Sequence, residues 1–390
     1  MIIRKSSLFT ALLSVVVSGV TVVSAQDCGS NYSSCCETSC CDGKFKLGAE
    51  WLYWKGEQDN MALAQTETGN SDPTSPDFLD TDVMRINPNY KYSNGFRITA
   101  GYELPCNCWE VDLIYTNLPI HAKSSLVAAS NPLNNDDFGA PIVGPFTVIQ
   151  PNPYYFVLNQ MNSALGDAVS SFVDYQTFQE KWQLNFNQFD VDIGRTICFN
   201  ECISIRPHVG FRAAWYTDKQ NAVFTGTSTD PFDSEFSSIF EADAKFRNQF
   251  TGYGVEAGLW AFWQIGCGLS FVGHFGGSIL YAKYTINEDV ESVVTVTDNG
   301  ATPPPPPPAP RTQAVSTTVS NISTTFHDVN HVATPTMEYF FGLEYADTLC
   351  DMTFAIRGGW EQHVYFESNR FFQAGNLSMQ GLTLGLEVGF

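Results

Sequence analysis

The chain has 390 residues, a formal charge of −21, 16% charged residues and 14% aromatic residues. So acidic a balance repels nucleic acid and anionic lipid headgroups, and no basic block compensates anywhere along the sequence, which sets both aside as partners. The charge fraction is low beside the ~25% of ordinary soluble domains, and 30 Phe, 16 Tyr and 8 Trp imply large apolar surfaces.

Residues 1–25 read as an export signal that is cleaved. Arg4 and Lys5 open it, an apolar stretch runs from Leu8 to Val23, and "VSA" ending at Ala25 offers small residues to a signal peptidase. Residues 26–44 form a cysteine-rich segment, with Cys28, Cys35, Cys36, Cys40 and Cys41 in "CGSNYSSCCETSCC". Beyond the signal no run of about 20 apolar residues occurs, so the remaining chain has no spanning helix.

From residue 45 onward apolar residues recur at every second position, the pattern of a strand with one greasy and one polar face. "FKLGAEWLYW" sets Phe45, Leu47, Ala49, Trp51 and Tyr53 against Lys46 and Glu50. "GFRITAGYE" and "CWEVDLIYT" repeat this, with Arg97, Glu110 and Asp112 on their polar faces. A fourth segment starts with Trp182, Leu184 and Phe186, then changes parity to Phe189, Val191 and Ile193, which predicts a β-bulge near Asn187 and Gln188. The fifth puts Arg206, His208 and Arg212 opposite Val209, Phe211 and Trp215. Two segments follow in "GYGVEAGLWAFWQIGCGLSFVGHFGGSIL", and three more end at Tyr345, at Trp360 and, in "GLTLGLEVGF", at Phe390.

These make ten strands, joined alternately by short links ("LPCN", "CFNEC", "QIGCG", "ADTLC") and long ones, over roughly 55–91, 118–180, 217–245, 284–335 and 367–378. Short turns on one side and long loops on the other predict an all-β, antiparallel, up-and-down transmembrane β-barrel of about ten strands, with 12–16 as the other count. A soluble β-sandwich or lipocalin-like barrel alternates in the same way with its greasy face inward. Aromatic residues near the ends of the apolar faces, and Gly, Ser, Thr and single charges opposite them, favour the lipid-facing arrangement over residues 45–390.

The polar faces supply candidates for lining a pore: Lys46, Glu50, Arg97, Glu110, Asp112, Asp190, Asp192, Arg206, His208, Arg212, Glu338, Glu344 and Arg357. Residues two apart share a strand face, so Glu110 with Asp112 and Asp190 with Asp192 form carboxylate pairs. Such pairs serve acid–base chemistry or calcium in other settings, but inside a barrel they ordinarily meet water and opposing arginines. No nucleotide, zinc-protease or Ser-His signature occurs, so neither an enzyme nor a cofactor is expected, and the surplus of acids predicts weak cation preference.

Six further cysteines, Cys106, Cys108, Cys198, Cys202, Cys267 and Cys350, lie in or beside the short turns, which places all 11 on the periplasmic side of an oxidising compartment. An odd total leaves at least one without a partner inside a monomer, so local staples and links between molecules both stand, with a zinc site as a third reading. In the loops, Pro303 to Pro308 predict a stiff polyproline rod, its tip spanning 303–310, on a hairpin raised above the membrane. Leu158, Met161, Ala164 or Leu165, and Val169 have the spacing of a helix that plugs the pore or packs outside it.

The stretches "KLGAEWLYWKG", "FDVDIGRTICFNECISIRPHVGFRAAW" and "GYGVEAGLWAFWQIGCGLSFVGHFGGSILY" resemble the Legionella-type major outer membrane protein family, a pore-forming group also found in chlamydia-like bacteria. The resemblance runs from about Phe45 to Phe390. It implies diffusion of small solutes through a barrel set in outer-membrane lipid, with terminal Phe390 as an insertion signal read by the barrel-assembly machinery. It also implies homo-oligomers or disulfide cross-links to other envelope proteins. The cysteine-rich N-terminus and the proline run depart from the family pattern.

Overall fold

A computed structural model describes residues 43–70, 81–105, 109–129, 145–151, 172–199, 202–230, 233–298, 316–349, 352–370 and 375–390. The export signal, the N-terminal cysteines, the helix-spaced segment and the proline run lie outside the described residues.

Among the described residues fifteen strands follow in chain order: β1 (Lys44–Gln58), β2 (Ala64–Asn70), β3 (Thr81–Ile86), β4 (Tyr92–Glu103), β5 (Trp109–Lys123), β6 (Val127–Ala128), β7 (Pro145–Pro151), β8 (Phe172–Arg195), β9 (Ile197–Cys198), β10 (Ile203–Asp230), β11 (Asp233–Gly266), β12 (Leu269–Asp298), β13 (Ser316–Leu349), β14 (Met352–Asn369) and β15 (Gly375–Gly389). Ten of them close a barrel in the order β1-β4-β5-β8-β10-β11-β12-β13-β14-β15, all pairings antiparallel. The seam joins β15 to β1, where Phe45 and Phe390 each donate a backbone N–H to the other's carbonyl at 2.9 Å. Closure leaves no sheet edge within lipid, where an unpaired backbone group is costly. β2, β3 and β7 form a small sheet at the loop end, and β6 and β9 add two-residue pairings to β8 and β10.

The outward band carries the residues that the alternation assigns to lipid. Val255 is 68% exposed, Phe275 60% and Leu47 53%. Aromatic residues rim it at both ends, with Trp263 and Phe271 at the turn end and Tyr253 and Tyr281 at the loop end. Ten residues separate Phe271 from Tyr281, and a strand tilted by about 40° rises ~25 Å over that length, the height of a bilayer's apolar zone.

The parity change in β8 is not a bulge. Gln188 faces Ala214 and Asn187 faces Trp215 in unbroken register, and the irregularity between β8 and β10 falls at Thr225 and Gly226. From Phe178 to Asp192 even-numbered residues point inward without a break, and what changes is their chemistry; parity shifts only beyond, where Tyr175 is the buried residue. Below Phe186 the inward residues are Gln188, Asp190 and Asp192; from Phe186 upward they are Phe186, Leu184 and Trp182, each at most 1% exposed. The outward face changes the opposite way, from Ile193, Val191 and Phe189 to Asn187, Asn185 and Gln183. The strand has left the membrane: water replaces lipid outside, so the apolar side chains must be buried inside.

The same inversion explains why the expected long loops are shorter. Residues 217–230 and 233–245 continue β10 and β11, and 172–180 opens β8. The hairpin expected around the proline run is present as β12 to Asp298 and β13 from Ser316. At the other end the β11–β12 turn is as tight as expected, with positive φ at Gly266, Cys267 and Gly268.

Candidate functional site

The barrel interior has two levels. At the height of the lipid band, inward polar side chains form ion-paired groups around a cavity of about 110 Å³. All thirteen residues singled out from the sequence point to this interior, and each lies within 4.0 Å of a partner of opposite type. Lys46 meets Glu110, Arg97 meets Glu50, Arg206 meets Glu110 and Asp112, Arg212 meets Asp190 and Glu338, and Arg357 meets Glu344. His208 approaches Asp192 at 4.0 Å, a pair that is ionic only when the imidazole is protonated.

Arg212 is the hub. Its Nε donates to Asp190 Oδ1 at 2.8 Å and its Nη atoms reach Glu338 at 2.9 and 3.0 Å, with Glu256 as a third carboxylate. Arg97 forms a second centre, donating to Glu50 at 2.7 Å and to Glu361 at 2.7 Å from the far wall. His363 joins the two, with Nε2 at 2.7 Å from Glu361 and Nδ1 at 3.2 Å from Glu338. Glycine on the inner face makes the room: a Cβ at Gly210 would run into the carboxylate of Asp192. The sequence reading missed Glu256, Glu361 and His363. Each shares inward parity with its strand's other polar residues, so strict alternation along β11 and β14 was the signal available.

Above this level the interior is filled mainly by apolar side chains, with Glu180, Asp218, Gln220, Asn248 and Glu288 buried among them. Trp54, Trp182, Phe186, Phe250, Tyr284 and Tyr365 are each no more than 1% exposed and pack in one cluster from strands on all sides. Contacts cross the full lumen. Tyr365 of β14 donates to Gln188 of β8 at 2.7 Å, and Tyr216 of β10 donates to the Ser368 carbonyl at 3.2 Å. The segment after β1 turns inward on Asn60 at φ 58°, burying Met61, Ala62 and Leu63 at 0–2% exposure. Gln220 donates to the Met61 carbonyl and Asn369 to the Asp59 carbonyl at 2.9 Å, which pin the segment across the mouth. A second apolar cluster, around Phe178, Phe224 and Phe246, continues the core outward. Buried among it, Glu180 is held well above the usual carboxylate range by desolvation, and Asp218, also above the girdle, is pushed up to about 7 by the same cause.

Of the cysteines, Cys198, Cys202 and Cys267 fall among the described residues, all at the short-turn end; the other eight lie outside them. Among the described residues no group of three or more His, Cys, Asp or Glu is placed to hold a metal ion.

The family model for the Legionella pneumophila major outer membrane protein precursor matches residues 37–390. The chain belongs to that family. It is accordingly a bacterial outer-membrane β-barrel protein. No curated protein matches it. Solved structures similar to it include the outer membrane protease OmpT from Escherichia coli (7% identity, 89% of this chain and 96% of that one, TM-score 0.32). Others are a major outer membrane protein from Thermus thermophilus (12%, 90% and 100%, 0.25) and a Pseudomonas aeruginosa FadL homologue (8%, 89% and 90%, 0.27).

Proposed function

We propose that this family member is a structural barrel of the outer-membrane envelope, closed to hydrophilic solutes in this conformation. The observation that carries the reading is the apolar layer across the outer half of the lumen, where Trp54, Trp182 and Leu52 are 0% exposed and the Met61–Leu63 segment fills the centre. Passive diffusion needs continuous water from end to end, and porins hold it in wider barrels with polar interiors. The cations of the lower level are engaged by carboxylates, which suits a braced interior better than a catalytic one. On this reading the signal is cleaved after Ala25, and cysteines other than Cys198 and Cys267, which already form disulfides, link the barrel covalently to neighbouring envelope proteins.

Liposome swelling with solutes of graded size, on oxidised and reduced protein, tests this. The expected result is no swelling above protein-free vesicles in either state, with high-mass species on non-reducing gels. Swelling that grades with solute size would establish an open pore instead. One observation favours a gated pore as the second reading: the ionic cavity at lipid level is lined from all ten barrel strands. Flux through it requires the Met61–Leu63 segment to swing out, so Gln220→Ala with Asn369→Ala would then open the channel.

A further inference from the structure

The sequence has no basic block, yet the fold assembles one. On the outer wall above the loop-end girdle, Lys123 of β5 stands directly opposite Lys181 of β8, and Lys219 of β10 directly opposite Arg247 of β11. The two pairs adjoin, because Lys181 faces Asn221 and Lys219 faces Gln183 across the β8–β10 pairing. All four side chains are exposed, and among the described residues none is in an ion pair. Like charges directly opposite on neighbouring strands destabilise a sheet. In a chain of net charge −21, two such pairs side by side call for an external anion. A shallow depression beside them is lined by Lys219, Asn221, Lys245, Arg247, Asn287 and Asp289, of which Asp289 stands directly opposite Lys245, and Lys245 is ion-paired to Asp243.

Height identifies the anion. Lys219 lies four residues beyond Trp215, Arg247 six beyond Tyr253 and Lys181 eight beyond Phe189 along their strands. At ~2.5 Å of rise per residue in a strand tilted by about 40°, the patch stands roughly 10–20 Å above the lipid zone. Phospholipid headgroups extend only ~5–8 Å beyond the apolar core. We propose that this patch binds the phosphorylated saccharide of an outer-leaflet glycolipid, a lipopolysaccharide whose sugar-borne phosphates rise to that height beside the barrel wall. Overall charge alone would set such an anion aside, but net charge says nothing of which side chains four strands bring together.

The test uses the full-length protein in neutral detergent, titrated with lipopolysaccharide carrying its core phosphates and with the same material dephosphorylated. The variant is Lys123→Gln, Lys181→Gln, Lys219→Gln, Arg247→Gln combined. Wild-type protein should prefer the phosphorylated form about tenfold or more, and the variant should lose that preference. Without glycolipid the variant should keep the heat-modifiable mobility of a folded barrel and melt no lower than wild type, since repulsion has been removed. Equal binding of the two forms would overturn the proposal, as would full retention by the variant. So would a lower melting point of the variant without glycolipid, which would assign the patch a structural role. Phosphatidylglycerol vesicles or inorganic phosphate competing as well as the glycolipid would overturn it too.

Discussion

Tyr365 offers a sharp test of whether the outer lumen is a packed core. Its ring is 1% exposed, lies 5.5 Å from that of Phe186 and 6.0 Å from that of Phe250, and its hydroxyl donates across the barrel to Gln188 at 2.7 Å. Truncating a buried aromatic to alanine costs about 3–5 kcal/mol, transfer and cavity together. Leaving the Gln188 carbonyl oxygen buried without its donor adds about 1–3 kcal/mol. Tyr365→Ala should therefore lose roughly 4–8 kcal/mol, and Tyr365→Phe, which removes the hydroxyl alone, about 1–3 kcal/mol. Urea unfolding in lipid vesicles, followed by tryptophan fluorescence, measures both. If Tyr365 instead faced a water-filled channel, both substitutions would fall within about 0.5 kcal/mol of wild type, and that result would refute the reasoning.

Arg212→Ala strands three buried carboxylates and should cost about 3–5 kcal/mol in the same unfolding experiment, whereas Arg212→Ala combined with Asp190→Asn and Glu338→Gln should recover part of it. Phe275→Lys, in the middle of the lipid band, should lose about 2–4 kcal/mol, while Val223→Lys, outward but above the girdle, should change stability by less than about 1 kcal/mol. Glu180 and Asp218 hold their protons more tightly folded than unfolded, so the folded state binds more protons once pH rises above the unfolded carboxylate range near 4. Their contribution is present in full below that range and lost as pH climbs, for Asp218 through about 7. Melting temperature of the outer core should accordingly be higher near pH 5 than near pH 8, and Asp218→Asn with Glu180→Gln should flatten that dependence.

Much of the barrel was legible because a membrane strand obeys period two strictly while lipid lies outside. From Phe45 to Tyr53 and from Leu269 to Tyr281 the alternation alone assigns the outward side chains. Reading stopped where the solvent changed. Trp182, Leu184 and Phe186 carry the same alternation as Phe189, Val191 and Ile193 but on the opposite face, and a pattern of one strand cannot say whether the strand slipped or its surroundings did. The pairing to β5 and β10 decides it. Contacts across the lumen, such as Arg97 with Glu361, join residues far apart in sequence and follow only from strand order and closure. The inward segment at Met61 had no periodic signal, since its burial is set by the mouth it fills.

The account rests on one inversion of environment along single strands, and accessibility along β12 measures it directly. Spin labels introduced one at a time from Phe271 to Val293 report collisions with oxygen, which concentrates in lipid, and with a water-soluble nickel chelate. The account predicts oxygen contact at odd positions up to Tyr281, nickel contact at odd positions from Lys283, and neither reagent at Ala282, Tyr284, Ile286 and Val290. Free access of the nickel chelate to those four inward positions would mean a water-filled lumen and would contradict the closed barrel.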